Sequence, residues 1–157
     1  MLADSSLTES GFAMTGGVTE LRDFSGGEKK SSALRVLVVD DEPLIRWSLA
    51  ETLIDGGHEV LEAADGRSAL QVLADAPFPI DVIFLDFRLP DSNDLALLST
   101  LRRVSPASQV ILMTAYGTPE VVKGAEELGA FQVVHKPFEM ADLASLVARA
   151  SNARIRH

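Results

Sequence analysis

The stretch LRVLVVDDEPLIRW, residues 34–47, joins an apolar run directly to a cluster of acids. The run Val36–Val39 has no polar residue, which is typical of a strand buried on both faces of a sheet. Three acids follow it at once, Asp40, Asp41 and Glu42. A buried strand therefore ends by placing negative charge at its tip, and charge concentrated in this way requires a compensating group.

The composition is that of an ordinary soluble protein with enough residues for one domain. The chain has 157 residues, of which 46% are hydrophobic and 24% charged. Its net charge of −9 argues against binding to nucleic acid, which needs clustered positive charge. Cysteine is absent, which excludes disulfides and thiolate metal sites. No apolar run is long enough to span a membrane, and no signal peptide opens the chain, so we expect a cytoplasmic protein without a membrane partner.

Residues 1–33 differ in character from the rest of the chain. Serine, threonine and glycine dominate this segment, and its apolar residues are isolated. Such a segment buries too little surface to offset its ordering entropy, so we expect a flexible N-terminal tail. The regular pattern occupies residues 34–150. Residues 151–157 are either the end of the last helix or the start of a linker.

Short apolar runs alternate with segments of helical spacing throughout residues 34–150. Five such runs predict strands, at Arg35–Val39, Glu59–Glu62, Val82–Leu85, Gln109–Met113 and Phe131–Val134. The segments between and after them show helical spacing of apolar residues, such as i, i+4 and i+7, which predicts five helices. This alternation indicates an α/β fold with a doubly wound, five-stranded parallel sheet covered on both faces, in strand order 2-1-3-4-5.

Polar residues follow four of the five predicted strands. Asp40 and Asp41 follow the first strand, Asp86 the third, Thr114 the fourth and Lys136 the fifth. Any one of them alone would be read as a helix cap, a turn residue or a surface side chain. The carboxyl ends of parallel strands meet at one edge, however, and ligands bind there in open sheets. The sequence therefore predicts one cleft that contains the three aspartates, with Thr114 and Lys136 along its rim.

The residue types in this predicted cleft suit a metal ion and a phosphoryl group. Three neighbouring carboxylates repel one another unless they take up protons or bind a cation. Oxygen ligands without nitrogen or sulfur favour Mg²⁺. A hydroxyl and an ammonium beside that metal are groups that stabilise phosphoryl oxygens.

Four motifs in this order and spacing resemble the receiver domain of bacterial two-component response regulators. They are VLVVDDEP at 36–43, IFLDFRLPDSNDL at 83–95, MTAYG at 113–117 and HKPF at 135–138. The resemblance covers the chain from about residue 34 to about residue 150. It implies a flavodoxin-like receiver fold and a phosphoprotein that acts in two-component signalling. It also implies that the domain is not an enzyme in the usual sense, because it promotes only its own phosphorylation and dephosphorylation.

By this resemblance, Asp86 is the phosphoacceptor, which takes its phosphoryl group from a phosphohistidine. Asp40 and Asp41 match the acidic pair that holds Mg²⁺ together with Asp86 and the backbone carbonyl of Arg88. Asp41 is then the direct ligand, and Asp40 acts largely through water. Thr114 matches the hydroxyl that binds the phosphoryl group.

Lys136 matches the lysine that pairs first with the phosphoacceptor and then with its phosphoryl group, and Pro137 is expected to follow a cis peptide bond. Two departures concern regulation. Arg88 and Tyr116 are bulky at positions that flank the path of attacking water. Val133 stands where the family usually carries an aromatic residue that changes position on activation.

The resemblance also implies partners. The phosphoryl donor would be a sensor histidine kinase or a phosphotransfer protein. The face formed by helix 4, strand 5 and helix 5 would bind partners or a second receiver, giving a homodimer. Because Val133 has no ring, we expect the signal to pass through Thr114 and the loop 115–119 into helix 4.

Three other interpretations compete with that of a phosphorylated receiver. A haloacid-dehalogenase phosphatase would carry a second acid two residues after its nucleophile, where this chain has Arg88. A dinucleotide-binding domain would show G-x-G-x-x-G after the first strand, and none is present. A pseudo-receiver that acts only as a docking module remains the alternative, although such modules usually lose one of the residues retained here.

Overall fold

A computed structural model describes residues 33–156 of the chain. Five strands alternate with five helices, and a short 3₁₀ turn at Met140–Asp142 precedes the last helix. The strands are β1 Arg35–Val39, β2 Glu59–Ala63, β3 Val82–Asp86, β4 Gln109–Thr114 and β5 Gln132–His135. The helices are α1 Pro43–Asp55, α2 Gly66–Asp75, α3 Ala96–Val104, α4 Pro119–Glu127 and α5 Leu143–Arg156.

The five strands form one parallel sheet in the order β2-β1-β3-β4-β5. The predicted fold class and strand order are therefore confirmed. Strand β1 lies between β2 and β3, and its residue Val39 lies opposite Ala63 of β2 and Leu85 of β3. Because the chain reverses its direction of winding between β1 and β3, the loops that follow these two strands leave the sheet side by side.

Each face of the sheet is buried by its own set of helices. Leu37 and Val39 of β1 belong to a core cluster that includes residues of α2, α3 and α4. Val36 and Val38 alternate with them and belong to a second cluster, which includes residues of α1 and α5. All five residues of β3 are buried as well. Burial on both faces explains why these strands are continuous apolar runs rather than alternating ones.

The strands differ from their predicted bounds by at most one residue at either end. Asp86 and Thr114 are the last residues of β3 and β4 rather than the first residues of the following loops. Helix α5 continues beyond Ala150 to Arg156. The tail expected at residues 1–33 lies outside the described residues, except for Ala33. None of the helices within residues 33–156 combines the length and the apolar character that crossing a membrane requires.

Candidate functional site

The loops at the carboxyl edge of the sheet bring together the side chains that the sequence singles out. Carboxylate oxygens of Asp40, Asp41 and Asp86 all lie within 4.8 Å of one another. Lys136, which follows β5, reaches the same cluster with its ammonium group. Strand β4 ends between these elements with Thr114, whose carbonyl accepts a hydrogen bond from the backbone N–H of Lys136 at 2.8 Å.

Asp40 is the most enclosed of the three acids. It is 0% exposed, although it follows the strand rather than belonging to it. Its Oδ1 accepts the backbone N–H of Glu42 at 2.9 Å, and its Oδ2 accepts a hydrogen bond from Lys136 Nζ at 2.8 Å. Both carboxylate oxygens are thus engaged, as burial of a charged group requires.

Asp41 has the opposite environment. Its side chain is exposed, and its carboxylate has no hydrogen bond or ion pair within the described part of the chain. One acid of the cluster therefore offers oxygens that no group of residues 33–156 occupies. An accessible carboxylate beside two buried ones suits a hard cation that keeps part of its water shell.

Asp86 carries the strongest electrostatic perturbation of the site. It is 7% exposed, and burial together with the neighbouring charge of Asp40 raises its pKa from 3.8 to about 6. Lys136, whose Nζ lies 3.3 Å from Asp86 Oδ1, and the backbone amide of Arg88 oppose this rise in pKa. Additional positive charge beside Asp86 would therefore stabilise its ionised carboxylate.

Lys136 compensates more than one carboxylate. Its Nζ lies 2.8 Å from Asp40, 3.3 Å from Asp86 and 3.7 Å from Glu42. Burial alone would lower the pKa of Lys136, but the hydrogen bond to Asp40 and the attraction of both buried acids outweigh that effect and raise it. The side chain therefore stays charged at neutral pH. The peptide bond between Lys136 and Pro137 is cis, as the resemblance implies.

Thr114 and the loop after β4 are joined by one hydrogen bond. The Thr114 side chain is buried, and its Oγ1 accepts the backbone N–H of Tyr116 at 3.0 Å. The Tyr116 ring is exposed and lies under the Arg88 guanidinium, whose central carbon is 5.0 Å from the ring centroid. Arg88 and Tyr116, which the sequence places separately beside the water path, thus form a cation–π contact that links the loops after β3 and β4.

His135 has a role in packing that the sequence reading does not identify. It ends β5, and its ring lies so close to Gly117 that a Cβ at that position would clash with it. Val133, two residues earlier, packs as a partly buried residue against the core cluster that contains residues of α2, α3 and α4. The sequence gives one indication of this contact, the glycine of MTAYG. The structure is needed to show that a ring approaches that glycine closely.

Comparison with known proteins places the chain in one family. A family model for the response regulator receiver domain matches residues 36–148. The chain is 35% identical over 122 residues to the DNA-binding transcriptional regulator NtrC of Azospirillum brasilense, a match that covers 78% of this chain and 25% of that protein. The chain spans about a quarter of the length of the first curated relatives that it matches.

Solved structures agree. A CheY-like response regulator receiver domain protein from Methanospirillum hungatei superposes with a TM-score of 0.74 at 26% identity, covering 80% of this chain and 98% of that one. The beryllofluoride-activated NtrC4 receiver domain dimer superposes with a TM-score of 0.70 at 32% identity, covering 76% and 98%. The family model, the sheet order and the similarity to the NtrC regulators lead to one conclusion: this chain belongs to the response regulator receiver domain family of two-component signalling.

Proposed function

We propose that Asp86 accepts a phosphoryl group from a histidine of a partner protein in a Mg²⁺-dependent reaction. The observation that carries this proposal is the grouping of Asp40, Asp41 and Asp86 within 4.8 Å, with Lys136 in contact with two of them. Three acids and one lysine leave net negative charge in a partly buried site, which favours a divalent cation.

Asp41, Asp86 and the backbone carbonyl of Arg88 would hold Mg²⁺ in this proposal. Asp41 is accessible and unpaired within the described residues, which supports a direct ligand role. Asp40 already accepts hydrogen bonds on both oxygens, which supports a role through water and through Lys136. When bound, Mg²⁺ supplies charge that offsets the phosphoryl oxygens.

The transfer itself would use the Asp86 carboxylate as the nucleophile. One of its oxygens forms a bond to phosphorus while the bond from phosphorus to the donor imidazole nitrogen breaks. That nitrogen leaves with the electron pair of the broken bond. Lys136, which contacts both Asp86 and Asp40, would shift from the Asp86 carboxylate to a phosphoryl oxygen and would keep its hydrogen bond to Asp40.

Thr114 would detect the phosphoryl group. Its Oγ1 accepts the Tyr116 N–H, so turning the hydroxyl toward a phosphoryl oxygen frees that amide. A change in one hydrogen bond at the end of β4 therefore becomes a change in the loop that leads into α4. The face formed by α4, β5 and α5 would then alter its affinity for a second receiver. The activated NtrC4 receiver is a dimer, which supports this readout.

The proposed partners are a sensor histidine kinase or a phosphotransfer protein as donor and a second copy of this domain as acceptor of the signal. Phosphoramidate, which carries a phosphorus–nitrogen bond, tests the chemistry without a cognate kinase. We expect it to add one phosphoryl group to the parent protein when Mg²⁺ is present, as read by intact-protein mass, and none with a chelator. Binding of a partner without any phosphoryl addition would instead indicate the pseudo-receiver alternative.

A further inference from the structure

The carboxylate of Asp91 forms a connection that lies outside the acid cluster. Its Oδ1 accepts the backbone N–H of Gly66 at 2.8 Å, and its Oδ2 accepts that of Arg67 at 3.0 Å. These amides belong to the first turn of α2, where N–H groups have no partner within the helix. The loop after β3 is thereby attached to a different element, 25 positions away for Gly66.

Asp91 lies at the tip of a tight turn. Leu89 and Ser92 exchange backbone hydrogen bonds of 2.7 Å and 3.2 Å, which closes the turn around Pro90 and Asp91. Gly66 allows the close approach of this turn, since a Cβ there would lie 3.1 Å from Asp91 Oδ1. The contact therefore depends on residues of both the turn 89–92 and helix α2.

The start of the same loop is fixed from the sheet. The Phe87 N–H donates to the carbonyl of Met113 at 2.8 Å, and the Arg88 amide interacts with the Asp86 carboxylate. Arg88 thus lies between two attachments of the loop, the Phe87 hydrogen bond to β4 and the Asp91 hydrogen bonds to α2. The direction of its backbone amide and carbonyl depends on both, because a short loop has few conformations that satisfy two anchors.

We propose that Asp91 is a positioning residue for the phosphorylation site. By holding the turn 89–92 on α2, it sets the path of the backbone at Arg88, whose carbonyl is the proposed Mg²⁺ ligand. This inference rests on the proposed function for its metal part. The part that concerns the path of the loop rests on the hydrogen bonds of Phe87, Leu89 and Asp91.

A simpler role for Asp91 would be to cap α2, and the chain contains a matched control for that role. Asp65 caps the same helix, because its side chain accepts the backbone N–H of Ser68 at 2.8 Å. Removing the Asp65 carboxylate weakens the first turn of α2 but leaves the loop after β3 attached. The two aspartates therefore separate helix capping from loop positioning.

The experiment compares Asp91→Ala, Asp91→Asn and Asp65→Ala with the parent chain. Mg²⁺ affinity is measured by titration calorimetry with MgCl₂, and exchange of the Arg88 amide is measured by NMR without Mg²⁺. We expect Asp91→Ala to weaken Mg²⁺ binding by roughly threefold to tenfold, less than the loss of a group bonded directly to a metal ligand, because Asp91 is exposed and acts through the loop. The Arg88 amide should also exchange faster.

The other two variants distinguish loop positioning from helix capping as the cause of any loss of Mg²⁺ affinity. Asp91→Asn retains one acceptor oxygen, so its Mg²⁺ affinity should lie between those of the parent and Asp91→Ala. Asp65→Ala should lower the melting temperature but leave Mg²⁺ affinity and Arg88 exchange unchanged. Equal losses of affinity in Asp65→Ala and Asp91→Ala, or unchanged Arg88 exchange in Asp91→Ala, would overturn the inference. A parent protein that does not bind Mg²⁺ would refute the proposed function instead, and Arg88 exchange would still test the positioning.

Discussion

Lys136 Nζ lies 2.8 Å from Asp40 Oδ2, so the lysine after β5 neutralises a fully buried aspartate 96 positions earlier in the chain. This pair is shorter than the one between Lys136 and Asp86, for which the distance is 3.3 Å. In the proposed mechanism, Lys136 keeps its ion pair with Asp40 when Asp86 is phosphorylated. Its longer contact with Asp86 is then the one exchanged for a phosphoryl oxygen.

The first prediction concerns this buried pair. Lys136→Met leaves Asp40 buried without its counter-charge, which should lower the free energy of unfolding by roughly 3 kcal/mol. Asp40→Asn introduced into the same variant should restore part of the loss, because the remaining group is then neutral. Urea unfolding without divalent ions measures both. Lys123→Met, which removes an exposed lysine on α4, is the control and should change little. A Lys136→Met variant as stable as the control would contradict the assignment of Lys136 as the counter-charge of Asp40.

The second prediction concerns pH. The pKa of Asp86 is raised from 3.8 to about 6, first by burial and then by the charge of Asp40. Between these two values the folded protein retains a proton that the unfolded chain has released. Raising the pH through this range therefore lowers the stability of the metal-free protein, and the penalty is complete above about pH 6.

Asp86→Asn removes that titration. The variant should be more stable than the parent at pH 7 without metal, by on the order of 3 kcal/mol at most, and the difference should disappear below about pH 4. Thermal unfolding across this pH range with a chelator measures the difference. Asp94→Asn, in the same loop but outside the acid cluster, should show no such dependence. A constant difference between parent and Asp86→Asn at every pH would refute the prediction.

The third prediction concerns the lifetime of the phosphoryl group. The cation–π contact between Arg88 and Tyr116 joins the loops after β3 and β4, beside the proposed phosphorylation site. We expect this contact to shield the phosphoryl group from water, so losing its contribution of about 0.5–1 kcal/mol should shorten the lifetime about twofold to fivefold in Tyr116→Ala. Phosphate release after removal of the donor measures the lifetime. Arg88→Ala should have the same effect, and the double variant should add nothing further; independent, multiplying effects would mean that the two side chains act separately.

The fold was predictable because its main signals are local. An uninterrupted run such as Val36–Val39 carries the information that its strand is buried on both faces, and the alternation of strands with helical segments determines the sheet class. The edge that carries Asp40, Asp86 and Thr114 follows from parallel strands having a common direction. The grouping of the acids could therefore be predicted without coordinates.

Contacts that depend on the paths of loops could not be predicted in the same way. The sequence reading pairs Lys136 with Asp86, whereas its shorter contact is with Asp40. It also gives Asp91 no role, because nothing in either segment indicates that the turn 89–92 reaches the first turn of α2. In both cases, the distance between residues far apart in the chain decides which acid accepts the hydrogen bond. Hydrophobic periodicity gives no information about such distances.

The fourth prediction concerns the readout. Thr114 Oγ1 accepts the Tyr116 amide, whereas Val133 packs against the core without a ring that can change position. Association induced by beryllofluoride should therefore persist in Val133→Ala and be lost in Thr114→Ala. Sedimentation velocity with and without beryllofluoride measures this. Loss of association in Val133→Ala together with its retention in Thr114→Ala would show that β5, rather than the loop after β4, carries the signal.

Phosphoryl addition to Asp86 itself tests the proposed function most directly. Parent, Asp86→Asn and Asp94→Asn proteins are incubated with acetyl phosphate, with Mg²⁺ or with a chelator, and phosphoryl content is read by intact-protein mass. We predict one phosphoryl group on the parent and on Asp94→Asn in Mg²⁺, and none on Asp86→Asn or on any protein with chelator. Addition that persists in Asp86→Asn, or that proceeds without a divalent ion, would contradict it.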